Sequence, residues 1–169
     1  MTTPLERVLY VLRACEVKRW HNETVLREQN VGNHSARVAL WIVLFHPAPS
    51  LALLKGAVMH DLEEKITGDI PHWAKAENPS VKIAVAAVEA KVRREYELGF
   101  ELGDGEHMWL NAADLFDAFL HIWQEVVMFH NAWMQGDYER CSNKIIKNRA
   151  ARTFPDNMFQ VFTQLRDYA

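Results

Sequence analysis

Residues 57–71 read AVMHDLEEKITGDIP. The stretch opens as an apolar helix and then carries His60, Asp61, Glu63, Glu64 and, past a Thr-Gly pair, Asp69. A carboxylate on a buried face is costly unless it is paired or bound to a cation, so these acids need a reason. The chain around them is helical on both sides. Ser50 is placed to cap a helix from residue 51 to about 65, which Gly68 ends. Upstream, Thr3-Pro4 is a cap and first-turn pair, followed by Leu5, Val8, Leu9, Leu12 and Cys15 at helical spacing. Residues 19–31 are polar and irregular. Asn33 reads as the cap of a helix through Ala36, Ala39, Leu40 and Val43, which stops at His46-Pro47. Downstream, residues 71–78 read as loop, and Pro79-Ser80 opens a long helix towards Leu98. Residues 106–133 form a long apolar helix, Gly136-Asp137 starts another to about Arg152, and Pro155-Asp156 opens a short last one. Lys91/Glu95 and Arg93/Glu97 stand at i,i+4 and predict a solvated helical face. Strand alternation and repeats are absent. The expectation is all-α: a single-domain bundle of about seven helices over residues 1–169.

Composition narrows the classes of function. The chain of 169 residues is 49% hydrophobic, enough for a buried core. Its net charge of -3 gives no general attraction to nucleic acid. Two cysteines, Cys15 and Cys141, are too few for a disulfide framework and fit a reducing, cytoplasmic setting. The N-terminus has no basic segment ahead of an apolar run, so no signal peptide is expected. No apolar window reaches about 18 residues, so no membrane span is expected.

Polar residues then stand where helices should be apolar. His34 lies at a helix start, His60-Asp61 lies late in an apolar helix, and Asp114 is flanked by Ala113 and Leu115. Taken singly, each has a plain structural reading. Together, two imidazoles and two carboxylates on three helices make a ligand set for a divalent transition ion.

The order His34, His60-Asp61, Asp114 matches the H…HD…D pattern of the HD-superfamily metal-dependent phosphohydrolases. Arg19-Trp20, Asn30-Val31-x-x-His34-Ser35, His60-Asp61-x-x-Glu64-x-x-Thr67-Gly68-Asp69-Ile70-Pro71 and Ala113-Asp114 extend the match. They resemble the bacterial 5′-deoxynucleotidase branch, the YfbR-like proteins, and equally the short phage dATP triphosphohydrolases of that branch. The resemblance covers residues 9–114.

It implies phosphoester hydrolysis with His34, His60, Asp61 and Asp114 as ligands to one divalent transition metal ion, such as Zn²⁺, Co²⁺ or Mn²⁺. A separate Mg²⁺ on the substrate phosphates is compatible with it. Glu64 stands four residues after His60, about one turn on. By resemblance it is the acid/base that activates or orients the attacking water. Asp69 contacts the sugar or helps order the site, its plain reading being a turn former. Glu63 points elsewhere and is expected to be solvated. Phosphate needs cations, and Arg19 and Lys75 flank the matched segments. Trp20 matches a tryptophan that lines the nucleoside site, and Trp73 is a candidate second wall. The basic cluster Lys144, Lys147, Arg149 and Arg152 is a weaker phosphate candidate. His121 lies two turns along the stripe of Asp114.

Two positions depart from the pattern. Asn33 replaces an acid, and Asn111 replaces a lysine that would help hold phosphate. The short chain leans towards the phage enzymes and hence dATP hydrolysis to deoxyadenosine and triphosphate. The alternative is 5′-deoxynucleotidase action on dNMPs, and the reading from another class is a non-catalytic nucleotide-binding module. The expected partner is a small deoxynucleotide, and the long apolar helices suggest a homo-oligomer.

Overall fold

The computed structural model describes residues 2–168, without the side chains of His72 and Trp73. Thr3 caps α1 (Pro4–Cys15) through a complete capping box with Glu6. The stretch expected to be irregular contains a small antiparallel ribbon, β1 (Lys18–Arg19) and β2 (Gln29–Asn30). Its register pairs Arg19 with Gln29 and Lys18 with Asn30.

The next helix, α2 (Val31–Phe45), starts earlier than expected. Asn30 is its cap, not Asn33: the Asn30 side chain accepts the Asn33 N–H at 2.8 Å. The end of β2 leaves Asn30 extended (ψ 167), the backbone geometry that a cap requires. The first turn of α2 lies against the end of α1. A Cβ at Gly32 would come within 2.9 Å of the Cys15 Cβ.

Helix α3 (Leu51–Met59) is capped by Ser50 as expected but does not run on to residue 65. From His60 the chain tightens: Leu62 N–H bonds Met59 O and Glu64 N–H bonds Asp61 O. Helicity resumes as α4 (Glu64–Thr67), closed by Gly68 at φ 71. A short helix, α5 (His72–Glu77), occupies the expected loop, and α6 (Pro79–Glu95) follows. Helix α7 (Asp104–Trp123) widens into a π segment, Gln124–Met128, instead of continuing unbroken to residue 133. Helices α8 (Gln135–Ala150) and α9 (Asp156–Asp167) complete the all-α fold.

Two apolar clusters form. The larger joins α2, α3, α7, α8 and α9 through Val38, Ile42, Leu53, Phe116, Phe119, Ile145 and Phe162. The smaller gathers Tyr10, Ala14, Val31, Leu62, Val92 and Leu98. His34 lies between Val31 of one and Val38 of the other, and His60-Asp61 lies between Ala57 and Leu62. The polar groups therefore sit where the chain crosses from one core to the other.

The expected solvation of Glu63 is overturned. Its side chain is 1% exposed and accepts the Arg93 Nε–H at 2.7 Å. Burial, opposed by Arg93, lifts its carboxyl to about 7. Arg93 thus turns inward, and Glu97 pairs with Arg7 instead. No helix among the described residues is long and apolar enough to cross a membrane.

Candidate active site

His34, in the first turn of α2, is fully buried, and its Nδ1–H donates to Asp117 Oδ2 at 2.8 Å. His60, just past α3, donates its Nδ1–H to Ala57 O at 2.9 Å. With Nδ1 protonated, the neutral form of each ring carries a lone pair on Nε2. Those two Nε2 atoms face each other at 3.3 Å. Asp61 Oδ2 lies 3.4 Å from both, and Asp114 Oδ1 lies 3.1 Å from His34 Nε2.

Two opposed lone pairs beside two carboxylates repel unless a positive charge stands among them. The donor set therefore fits a divalent ion. His34, His60 and Asp61 offer ligand atoms that all lie within 4.8 Å of one another. The same field attracts a proton. Burial and Arg19 disfavour a charge on His34, yet its hydrogen bonds to Asp114 and Asp117 hold it up to about 9. The surrounding protein opposes ionising Asp61 and the 44%-exposed Asp114, but His34 and His60 hold Asp114, and His60, Arg19 and His34 hold Asp61, below the usual carboxylate range.

Asp117 was not singled out in the sequence. It stands three residues after Asp114, so on the same side of α7, and is fully buried. Its Oδ2 receives His34 and Gln29 Nε2–H at 2.9 Å; its Oδ1 receives Trp41 Nε1–H at 2.9 Å and forms an ion pair with Arg37 Nε at 2.7 Å. Burial resists its charge, and these partners, His34 first, nevertheless hold it ionised.

Glu64 opens α4 about one turn beyond His60, as the sequence suggests. Its Oε2 is buried and has no hydrogen-bond partner among the described residues; Arg19 Nη1 is 4.0 Å away. Burial, and then the charge of Asp61, lift its carboxyl to about 10. Arg19 instead donates to Asp61 Oδ2 at 2.6 Å. Asp69 is more than a turn former: its Oδ2 accepts the backbone N–H of Trp20 at 3.1 Å. That contact holds Trp20 at φ 59, an uncommon conformation for a bulky side chain.

Two cavities meet here. One of ≈ 370 Å³ has an apolar wall of Trp20, Pro71, Leu115 and Ile122, and Lys144 at its rim. The other, of ≈ 490 Å³, is lined by Asp61, Glu64 and Asp114 and by Lys75 and Lys82. Arg19, Asp69 and Ala76 line both. The Trp20 ring stacks on His121 at 5.3 Å and 11°, and its Nε1–H donates to Gln29 Oε1 at 2.9 Å. His121 is buried, and burial drives its imidazole down to about 4, so it backs the wall in the neutral form. Lys75 thus reaches the site, while the side chain of Trp73 lies outside the described residues. Of the basic cluster, Arg149 and Arg152 line a different cavity, beside Phe154. Lys82 and Gln29 were missed as well; neither stands in the motif, and only folding brings them to it.

A family model described as 5′-deoxynucleotidase YfbR-like matches residues 8–162. The chain belongs to the YfbR-like family. It is accordingly a metal-dependent deoxynucleotide phosphohydrolase of the HD type. Among solved structures, the PH0347 protein from Pyrococcus horikoshii OT3 is similar, with a TM-score of 0.72 and 23% identity over 98% of this chain and 99% of that one. So is the cyanophage S-2L HD phosphohydrolase DatZ, bound to dA and one catalytic Zn²⁺. There the TM-score is 0.65, with 22% identity over 99% of this chain and 98% of that one. At such identities the two likenesses concern the YfbR-like fold. No curated protein matches the chain.

Proposed function

We propose that this YfbR-like chain hydrolyses dATP to deoxyadenosine and triphosphate. One observation carries the reading. The charged cavity of ≈ 490 Å³ is lined by Arg19, Lys75 and Lys82 as well as by Asp61, Glu64 and Asp114, which supports room and cations for more than a single phosphate. The apolar cavity on the other side of Arg19 has the flat wall that a base requires. The likeness to DatZ, which is bound to dA, supports adenine and zinc.

In this reading His34, His60, Asp61 and Asp114 hold a divalent ion, Zn²⁺, Co²⁺ or Mn²⁺. When bound, the ion acidifies water and screens the phosphate oxygens. The protonated Glu64 carboxyl, its Oε2 unpartnered at the cluster, orients the attacking water, donates its proton to the departing O5′ and takes the water's proton in exchange. A bond forms from the water oxygen to the α-phosphorus as the bond from that phosphorus to O5′ breaks. Arg19, Lys75 and Lys82 hold the phosphate chain, and a Mg²⁺ arriving with the substrate would add to the charge neutralisation. Trp20 stacks on the base, and Asp69 fixes the backbone that carries it. Positioning and charge neutralisation supply most of the rate enhancement.

The second reading is a 5′-deoxynucleotidase acting on dNMPs, favoured by the family's own description. Incubation with each dNTP and dNMP and one transition ion, followed by product chromatography, separates them. Intact triphosphate and deoxyadenosine from dATP support the first. Phosphate from dNMPs alone supports the second, and no turnover with any metal supports a binding module.

We also infer self-association. Leu5, Val8, Leu9 and Leu12 on α1 are exposed, as are Leu40, Val43 and Leu44 on α2. A second copy would cover such faces. Sedimentation as a monomer at micromolar concentration would refute this.

A further inference from the structure

We propose that Gln29 is a positioning residue that ties the nucleoside wall to the metal ligand His34. This rests on the reading of Trp20 as the base wall and of His34 as a ligand. The observation is an unbroken hydrogen-bonded path. Trp20 Nε1–H donates to Gln29 Oε1 at 2.9 Å, and Gln29 Nε2–H donates to Asp117 Oδ2 at 2.9 Å. The same Oδ2 receives the His34 Nδ1–H at 2.8 Å.

The path has only one polarity. An indole nitrogen only donates and a carboxylate only accepts, so the Gln29 amide between them has a single satisfied orientation. Gln29 is 4% exposed, and His34 and Asp117 are fully buried, so no water stands in for a missing member.

The geometry also makes the path responsive at one end. Arg37 and Trp41 clamp Asp117 through Oδ1, whereas Gln29 and His34 share Oδ2. Sharing one oxygen makes the two bonds adjust together. Trp20 in turn has little freedom apart from its cavity face. His121 stacks against its ring, Asp69 holds its N–H, and the ribbon sets Gln29 opposite Arg19. A base stacked on the cavity face fixes the indole, hence the amide, hence the carboxylate that aims His34. Bound nucleoside therefore tightens the metal, and bound metal tightens the nucleoside by the same factor.

The test is metal affinity, measured by chelator competition with Zn²⁺, with and without saturating deoxyadenosine. Wild type, Gln29→Leu and Trp20→Phe are compared. Deoxyadenosine should tighten Zn²⁺ in wild type by about fivefold or more. Gln29→Leu should bind Zn²⁺ about tenfold more weakly, as loss of an outer-shell partner does, and show no response to deoxyadenosine. Trp20→Phe keeps an aromatic face but lacks the donor. It should lose the response to deoxyadenosine as well, which keeps the test decisive if Gln29→Leu fails to fold. A wild type without the response, or a response kept in Trp20→Phe, overturns the role of Gln29 while leaving the site reading intact. A wild type that binds no Zn²⁺, or no deoxyadenosine, overturns the site reading and this proposal together.

Discussion

Two buried carboxyl groups near one cluster of histidines have opposite surroundings. Asp117 receives three hydrogen bonds and an ion pair from four residues and stays ionised despite complete burial. Glu64 has a buried oxygen with no partner and a carboxyl lifted to about 10 by burial and Asp61. A saturated acceptor fixes its neighbours in place and does nothing else. An unsaturated one that lines a charged cavity keeps an oxygen to offer to water or substrate. In the proposed mechanism the contrast divides the site into a region that holds and a region that reacts.

Four outcomes would break or sharpen that division. Glu64→Gln should lower kcat by about 10²–10⁴-fold, the usual contribution of a general acid/base. Its Zn²⁺ affinity should stay close to wild type; a loss of turnover under tenfold would remove Glu64 from the reacting side. Next is His121, whose Nε2 is also buried without a partner among the described residues. Burial, reinforced by Arg37 and resisted by Glu125, lowers it from 6.5 to about 4. Between those values the unfolded chain binds a proton that the folded chain refuses. Stability present above pH 6.5 is therefore lost as pH falls towards 4, by on the order of 3 kcal/mol. Denaturant titrations at several pH values should show a shallower loss in His121→Phe.

Third, Asp117→Asn leaves three donors and the Arg37 charge facing a neutral amide with one oxygen. Zn²⁺ affinity should weaken by about 10–100-fold in chelator competition. An unchanged affinity would mean that Asp117 does not aim His34. The smallest effect belongs to the open side of the reacting cavity. Lys82 is exposed there, so Lys82→Ala should raise KM for dATP by only about fivefold. KM for dAMP should not move; a parallel rise in both would take Lys82 away from the outer phosphates.

The motif was legible because its chemistry is local. His60, Asp61 and Glu64 lie within five residues, and an acid in an apolar helix announces a partner. His34 and Asp114 follow from the same reasoning at longer range. Asp117 was not legible, although it sits one turn from Asp114. Its partners come from Gln29, His34, Arg37 and Trp41, which only the fold gathers around it. Glu63 misled for the mirror reason: the spacing of Arg93 and Glu97 offers a local pair, and the folded chain prefers a partner thirty residues away. The helix break at His60 was hidden because residues 51–65 have unbroken helical composition. At the break the His60 ring Nδ1 bonds back to Ala57 O, and the chain tightens through Leu62 N–H to Met59 O. The ribbon of β1 and β2 is too short for alternation to register, yet it sets Arg19 opposite Gln29 and leaves Trp20 next to both.

Gly32 has an implication for inherited variation. It lacks any group that could bind, donate or react, and it stands two residues before His34. Even a methyl there would run into Cys15, at the point where α1 abuts α2. In a saturation library selected for turnover, Gly32→Ala should be depleted as severely as changes at the histidines. A position chemically silent by every inventory of side chains is thereby closed to drift.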